Sequence, residues 1–318
     1  MRRRDILAPM TLAIEVHGLT KSYRTKAGET VDAVKGIDLH VTEGEILAFL
    51  GSNGAGKTTT IEILEGFRER TSGEVRVMGH DPQDAPRSWR EDIGIVLQES
   101  QPDQDLTAHE AVSMYASFYD APRPVDEVLH LVGLTDSAGQ RTKALSGGQK
   151  RRLDLAIALV GDPKLIFLDE PTTGFDPSAR REAWGMVEQL QDLGATVLLT
   201  THYMDEAEHL ADRIVVISDG VIAAEGSAAD LADQVQLRTR IGWSPTEVPA
   251  DALPASLRSS ITTTADGAFT METTEVGQVV HVLTTWAAQN QRRLDSLSVL
   301  KPNLEDTFLR LTDHGDDQ

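Results

Sequence analysis

The run GSNGAGKTT, Gly51 to Thr59, packs three glycines, a lysine and two threonines into nine residues. It follows EILAFL, an apolar run read as a short buried strand ending at Gly51, and it leads into a helical pattern. Glycines at such a junction let the backbone curl, so that the N–H groups of Gly51, Ser52, Asn53, Gly54, Ala55 and Gly56 turn inward toward phosphate oxygens at a helix N-terminus. Lys57 is spaced to reach the β- and γ-phosphates. The Thr58 hydroxyl suits Mg²⁺, and Thr59 closes the motif. The chemistry indicated is the binding of a polyphosphate together with Mg²⁺.

A second run, LIFLDEPTTG, supplies carboxylates. Four apolar residues read as a buried strand, with Asp169 at its C-terminal end to hold Mg²⁺ through water. Glu170, next in line, is placed to polarise an attacking water as general base. Acidic pairs at strand ends are common, so this reading draws its force from the glycine loop. A third run, LSGGQKRRLDLA, opens a helix with Ser146, Gly147, Gly148 and Gln149. An ordinary cap explains Ser146 but not two glycines followed by Gln149, since glycines cost backbone entropy at a helix start. Bare N–H groups at that N-terminus favour a phosphate instead.

Taken together, these runs resemble the ATP-binding subunits of ABC transporters, whose signature is LSGGQ. The resemblance covers residues 12–235. It implies that the signature of one subunit faces the phosphate loop of another, giving an ATP-dependent homodimer. It further implies that Tyr23 stacks on adenine, that Gln98 senses Mg²⁺ and water and touches the membrane partner, that Asp176 lies at the dimer interface, and that His202 contacts the γ-phosphate. Two positions depart from the usual pattern, Ser52 where many members have Pro and Phe175 where Leu is usual. Neither removes a donor or ligand. VMGHDP (Val77 to Pro82) and NLEDTFLRLT near the C-terminus resemble the daunorubicin-resistance type of drug exporter ATPase.

The elements that must position these residues read as an α/β chain. Strands are expected at Leu12 to Val16 and Ile37 to Val41, separated by the polar loop KSYRTKAGET, then at EILAFL, EVRVMG, IGIVLQ, KLIFLD and ATVLLT. Helices are expected at Lys57 to Phe67, after LSGGQ, and at Ser178 to Leu193. Alternation of strands and helices predicts a mainly parallel, doubly wound sheet, which the resemblance makes a P-loop ABC cassette. An antiparallel β subdomain and a helical insertion at about 107–161 complete the implied fold. RIVVISDGVIAAEG reads as a hairpin turning at Asp219–Gly220. Beyond 236 the texture becomes that of a small α+β domain, with a turn at Ala265–Asp266–Gly267, a helix at Glu275 to Gln289 and a last one at Leu304 to Leu311. That last helix reads either as packing on its own domain or as part of a regulatory, dimer-stabilising unit.

Composition narrows the function further. The chain has 318 residues, no cysteine and a net charge of −20. So acidic a chain repels phosphate backbones, and no nucleic acid partner is expected. No apolar run approaches the roughly 20 residues that span a bilayer, so membrane-spanning permease subunits are expected on separate polypeptides, with this chain cytoplasmic and peripheral on the inner face of the membrane. MRRRDILAPM lacks an apolar core and is not read as a secretory signal. Residues 1–11 are expected to form a disordered extension, or translation to start at Met10, and DHGDDQ a disordered tail. Export is the leading expectation. Import, and a soluble ATPase switch acting on ribosomes or DNA, are the alternatives; a single cassette without long heptads or cysteines disfavours the switch.

Overall fold

The computed structural model describes residues 11–26, 28–96, 103–235, 238–300 and 304–312. The chain divides into two compact units, the first ending at Ala228 and the second beginning at Ala229. Among the described residues no helix is long and apolar enough to cross a membrane.

In the first unit the strands are β1 Leu12–Arg24, β2 Thr30–Thr42, β3 Ile46–Gly51, β4 Ser72–Val77, β5 Ile93–Val96, β6 Leu165–Asp169, β7 Thr196–Thr201, β8 Arg213–Ser218 and β9 Val221–Gly226. The helices are α1 Lys57–Leu64, α2 Arg87–Glu91, α3 Ala108–Ala116, α4 Val125–Leu131, α5 Gly147–Leu159, α6 Pro177–Asp192 and α7 Met204–Leu210. The central sheet runs β5-β6-β7-β3-β8-β9, parallel throughout except for β9. Every residue of β3 and β7 is buried. That explains their unbroken apolar runs, because a parallel strand covered on both faces has no solvent side to mark with polar residues. The chain leaves the sheet after β5 and returns at β6, its parallel neighbour, and among the described residues between them it forms helices and turns with one isolated bridge, Thr107 to Arg141. The helical insertion is therefore a long crossover between adjacent strands.

A second sheet, β2-β1-β4, is antiparallel. Here β1 and β2 are much longer than the expected five-residue strands. The polar loop shrinks to the turn after Arg24, and Tyr23 pairs with Val31 as part of the ladder. Register shifts between Val16 and Thr20 hid this extension. Gly18 and Gly36 carry φ of 58° and 95° there, so the two-residue alternation breaks although the pairing continues. Helix α1 stops at Leu64 rather than Phe67 because Gly66 turns left-handed, with φ 78°, as helix ends commonly do. The expected hairpin is present: Asp219 and Gly220, with φ 48° and 80°, join antiparallel β8 and β9 in the all-positive turn that suits strand twist.

The second unit holds α8 Ala228–Gln234 (whose first residue closes the first unit), β10 Thr239–Trp243, α9 Ala255–Arg258, β11 Ile261–Thr263, β12 Phe269–Thr273, α10 Val276–Gln289, β13 Ser298–Leu300 and α11 Leu304–Thr312. Its sheet, β11-β12-β10-β13, is antiparallel. Ile241, Trp243 and Met271 from the sheet bury against Val279 and Leu283 of α10. Trp243 is wholly enclosed and donates its indole N–H to Val248 O at 2.9 Å, which removes the cost of burying an unpaired donor.

Candidate active site

Strand order brings the motifs together. β7 lies between β3 and β6, and all three run the same way. Leu50, just before the glycine loop, pairs with Thr201, and Asp169 pairs with Thr200. The loop after β3, the carboxylates at the end of β6 and His202 after β7 therefore emerge from one sheet edge, the carboxyl end, where open α/β sheets bind ligands. A cavity of about 770 Å³ opens there, lined by Gly51, Ser52, Asn53, Gly54, Gly56, Lys57, Thr58, Thr59, Asp169, Glu170, His202 and Ala33. Ala33 of β2 was not anticipated. A small residue there leaves no sequence signal.

The loop geometry depends on its glycines. A Cβ on Gly51 would sit 2.6 Å from Ile217 O, and one on Gly56 2.5 Å from Ala33 O, where φ is also 106°. Ala55 is buried beneath the loop, and its carbonyl accepts from Gly220 N at 2.9 Å. Lys57 is only 8% exposed. Its ammonium donates to Gly51 O and, at 3.1 Å, to Ser52 O. Burial pulls its pKa below the ordinary lysine value, while the carboxylates of Glu170 and Asp169 oppose that shift. The cation is thus held at the loop by charge as well as by hydrogen bonds.

Asp169 and Glu170 are fixed by His202 and by residues that local sequence did not single out, Thr200, Thr173 and Arg151. Thr200 Oγ1 donates to Asp169 Oδ1 at 2.5 Å, and Glu170 N donates to both Thr200 O and Thr200 Oγ1 at 3.1 Å. Glu170 has φ 45°, unusual for a residue with a Cβ. Thr173 Oγ1 donates to Glu170 Oε2 at 3.0 Å, and His202 Nδ1 lies 3.2 Å from Glu170 Oε1. From α5, Arg151 donates to Asp169 O at 2.7 Å and to Pro171 O at 3.3 Å. The signature helix is thereby tied to the strand end that carries the carboxylates. Burial lowers the Arg151 pKa against the fields of Asp154, Asp169 and Glu206.

Other expected site residues lie apart from this cavity. Tyr23 does not line it and approaches it through Thr59, its hydroxyl 3.4 Å from Thr59 Oγ1 and its ring faced by Lys21 Nζ at 5.2 Å and Arg68 at 5.5 Å. Asp176 caps α6, accepting from Ser178 N and Ala179 N at 2.8 and 3.0 Å, and these backbone donors lower its pKa. Gln98 lies outside the described residues. Ser146 to Gln149 do not line the cavity. There Ser146 Oγ accepts from Gln149 N, and Gln149 Oε1 accepts from Ser146 N at 2.9 Å, a reciprocal capping box. An ordinary cap therefore explains Gln149 as well as Ser146. The two glycines remain unexplained by the described residues, among which a Cβ on Gly147 or Gly148 would meet nothing within 4 Å.

Glu65, at the end of α1, is 5% exposed, and among the described residues its Oε1 has no hydrogen-bond partner. Burial, then the charges of Asp169 and Glu62, push its pKa from 4.5 up to about 8. The unfolded chain ionises this group above pH 4.5 while the folded chain keeps it neutral, so the group costs stability across pH 4.5–8. Glu65→Gln should stabilise the fold by about 2–4 kcal/mol near pH 8, with the gain vanishing below pH 4.5. Thermal unfolding of both proteins across that range checks this, and a pH-independent gain contradicts it.

A phosphate-binding loop, two strand-end carboxylates and a histidine on one sheet edge define a P-loop ATPase. The model of the ABC transporter family matches residues 34–173, and one for the C-terminal domain of ABC transporter domain-containing protein-like chains matches 231–302. The chain is 37% identical over 317 residues to the daunorubicin/doxorubicin resistance ATP-binding protein DrrA of Streptomyces peucetius, across 96% of this chain and 94% of that protein. It is 37% identical over 311 residues to Nod factor export ATP-binding protein I of Paraburkholderia xenovorans, across 94% and 97%. Among solved structures, a dimeric ATP-binding cassette in a post-hydrolysis state with ADP and Pi superposes with TM-score 0.61 at 28% identity, over 67% of this chain and 98% of that one. The chain belongs to the ABC transporter family as an ATP-hydrolysing subunit of its drug- and exporter-type branch.

Proposed function

We propose that two copies of this chain associate head to tail, and that ATP hydrolysis at their shared interface drives export through separate transmembrane permease subunits. In each composite site one copy supplies Gly51 to Thr59, Asp169, Glu170, His202, Tyr23 and Gln98. The other supplies Ser146 to Gln149 and Asp176. The observation that carries this reading is the pair Gly147 and Gly148, which no contact among the described residues requires, at a capped helix N-terminus away from the cavity.

Lys57 binds the β- and γ-phosphates, and the loop N–H groups cradle them. Glu170 takes the proton of the attacking water on its carboxylate, while His202 holds the γ-phosphate end. The Thr58 hydroxyl and the Asp169 carboxylate, hard oxygen donors at the cavity wall, fit Mg²⁺, and Gln98 is assigned to the same ion. Bound there, Mg²⁺ would neutralise phosphate charge. Residues 12–235 form the catalytic cassette on this reading, and 236–318 an accessory, regulatory domain. The subunit works on the cytoplasmic face of the membrane, peripherally, and the cargo is a drug or another hydrophobic compound.

The test is complementation in trans. Gly148→Asp blocks the signature and Lys57→Ala the phosphate loop, so each variant alone should hydrolyse little ATP. Mixed dimers keep one intact composite site, and the mixture should exceed the mean of the separate variants. Activity no higher than that mean counts against the shared site.

A further inference from the structure

One side of α6 is zipped to the segment that follows β7. Arg180, Trp184 and Glu188 recur every four residues and share a helix face. Trp184 Nε1 donates to Glu206 Oε1 at 3.2 Å, its ring lies 4.6 Å from that of His209, and Glu188 pairs with His209 at 3.4 Å. Arg180 donates to Asp205 Oδ2 at 3.1 Å, and its guanidinium sits 4.0 Å from the Tyr203 ring centre. The Tyr203 ring in turn lies 4.1 Å from the His202 ring, at 38° to it. His202 then meets Glu170 at 3.2 Å.

These four residues form a continuous series from the first turn of α6, which Asp176 caps, to the carboxylate in the cavity. The His202 side chain is 45% exposed. An imidazole so open to water, held among the described residues by a single polar contact, samples other rotamers unless packing prevents it. A cation over one ring and a second ring beside it supply that packing.

We propose that Tyr203 and Arg180 are positioning residues for His202, stacking its imidazole so that Nδ1 stays against Glu170 and Nε2 is left for the nucleotide. This rests on the role assigned above to His202. Neither residue lines the cavity, so their removal should lower kcat and leave KM for ATP nearly unmoved.

The experiment measures kcat, KM and melting temperature for Tyr203→Phe, Tyr203→Ala, Arg180→Lys and His202→Ala, and for Tyr203→Ala combined with His202→Ala. Tyr203→Phe keeps the ring and should stay near wild type. Tyr203→Ala should lose about tenfold in kcat, and Arg180→Lys, which keeps charge but loses the planar face, should lose a smaller factor. In the His202→Ala background, Tyr203→Ala should cost nothing more. Wild-type kcat in Tyr203→Ala overturns the proposal. So does an equal loss in the His202→Ala background, since the effect would then be general. A silent His202→Ala would instead remove the role assigned to His202 itself.

Discussion

Glu170→Gln subunits should bind ATP and associate, yet hydrolyse about 10²- to 10⁴-fold more slowly than wild type, the range expected for removing a general base. The substitution is nearly isosteric. Its amide oxygen still accepts from Thr173 Oγ1, and the backbone at φ 45° is still held by Thr200 through Glu170 N. The fold is therefore preserved while the carboxylate that receives the proton is lost. Because turnover releases the dimer on this reading, the variant should accumulate as an ATP-bound pair. Phosphate release, together with the mass of the complex with and without ATP, checks both halves. Turnover near wild type would remove Glu170 from the role of base.

Lys57→Ala should have the second-largest effect, about 10²- to 10³-fold in turnover, the scale measured when a preorganised donor to developing charge is deleted. Its ammonium already sits at the cavity, buried, donating to Gly51 O and Ser52 O, with the fields of Asp169 and Glu170 acting on it. Nucleotide affinity should fall as well, since an acidic site without its cation repels a polyphosphate. Calorimetric titration of ATP into the variant, with circular dichroism to confirm the fold, separates the two losses. Unchanged affinity and rate would place the phosphates elsewhere.

The two variants also differ in kind. Loss of Glu170 affects the chemical step and leaves the ground state intact, whereas loss of Lys57 affects both, because a cation meets the phosphates before and during reaction. Their effects on dimer formation should therefore be opposite: Glu170→Gln favours the ATP-bound pair, and Lys57→Ala disfavours it.

The sequence by itself determined the glycine loop, the strand-end carboxylates, the Asp219–Gly220 hairpin and the order of the central elements. Each of these is local: a glycine with positive φ, a run of apolar residues or a cap depends on neighbours a few positions away. Only the tertiary structure decided the rest. Thr200 lies 31 positions from Asp169 and joins it because β6 and β7 are adjacent. Arg151 reaches Asp169 O from α5, and Arg180 reaches Tyr203 from α6. Polar and aromatic residues carry no periodic mark of such contacts, so their partners are set by packing. The long β1–β2 ladder was hidden for a related reason: bulges at Gly18 and Gly36 interrupt the alternation that betrays a strand, while the hydrogen bonds that define it run to another segment.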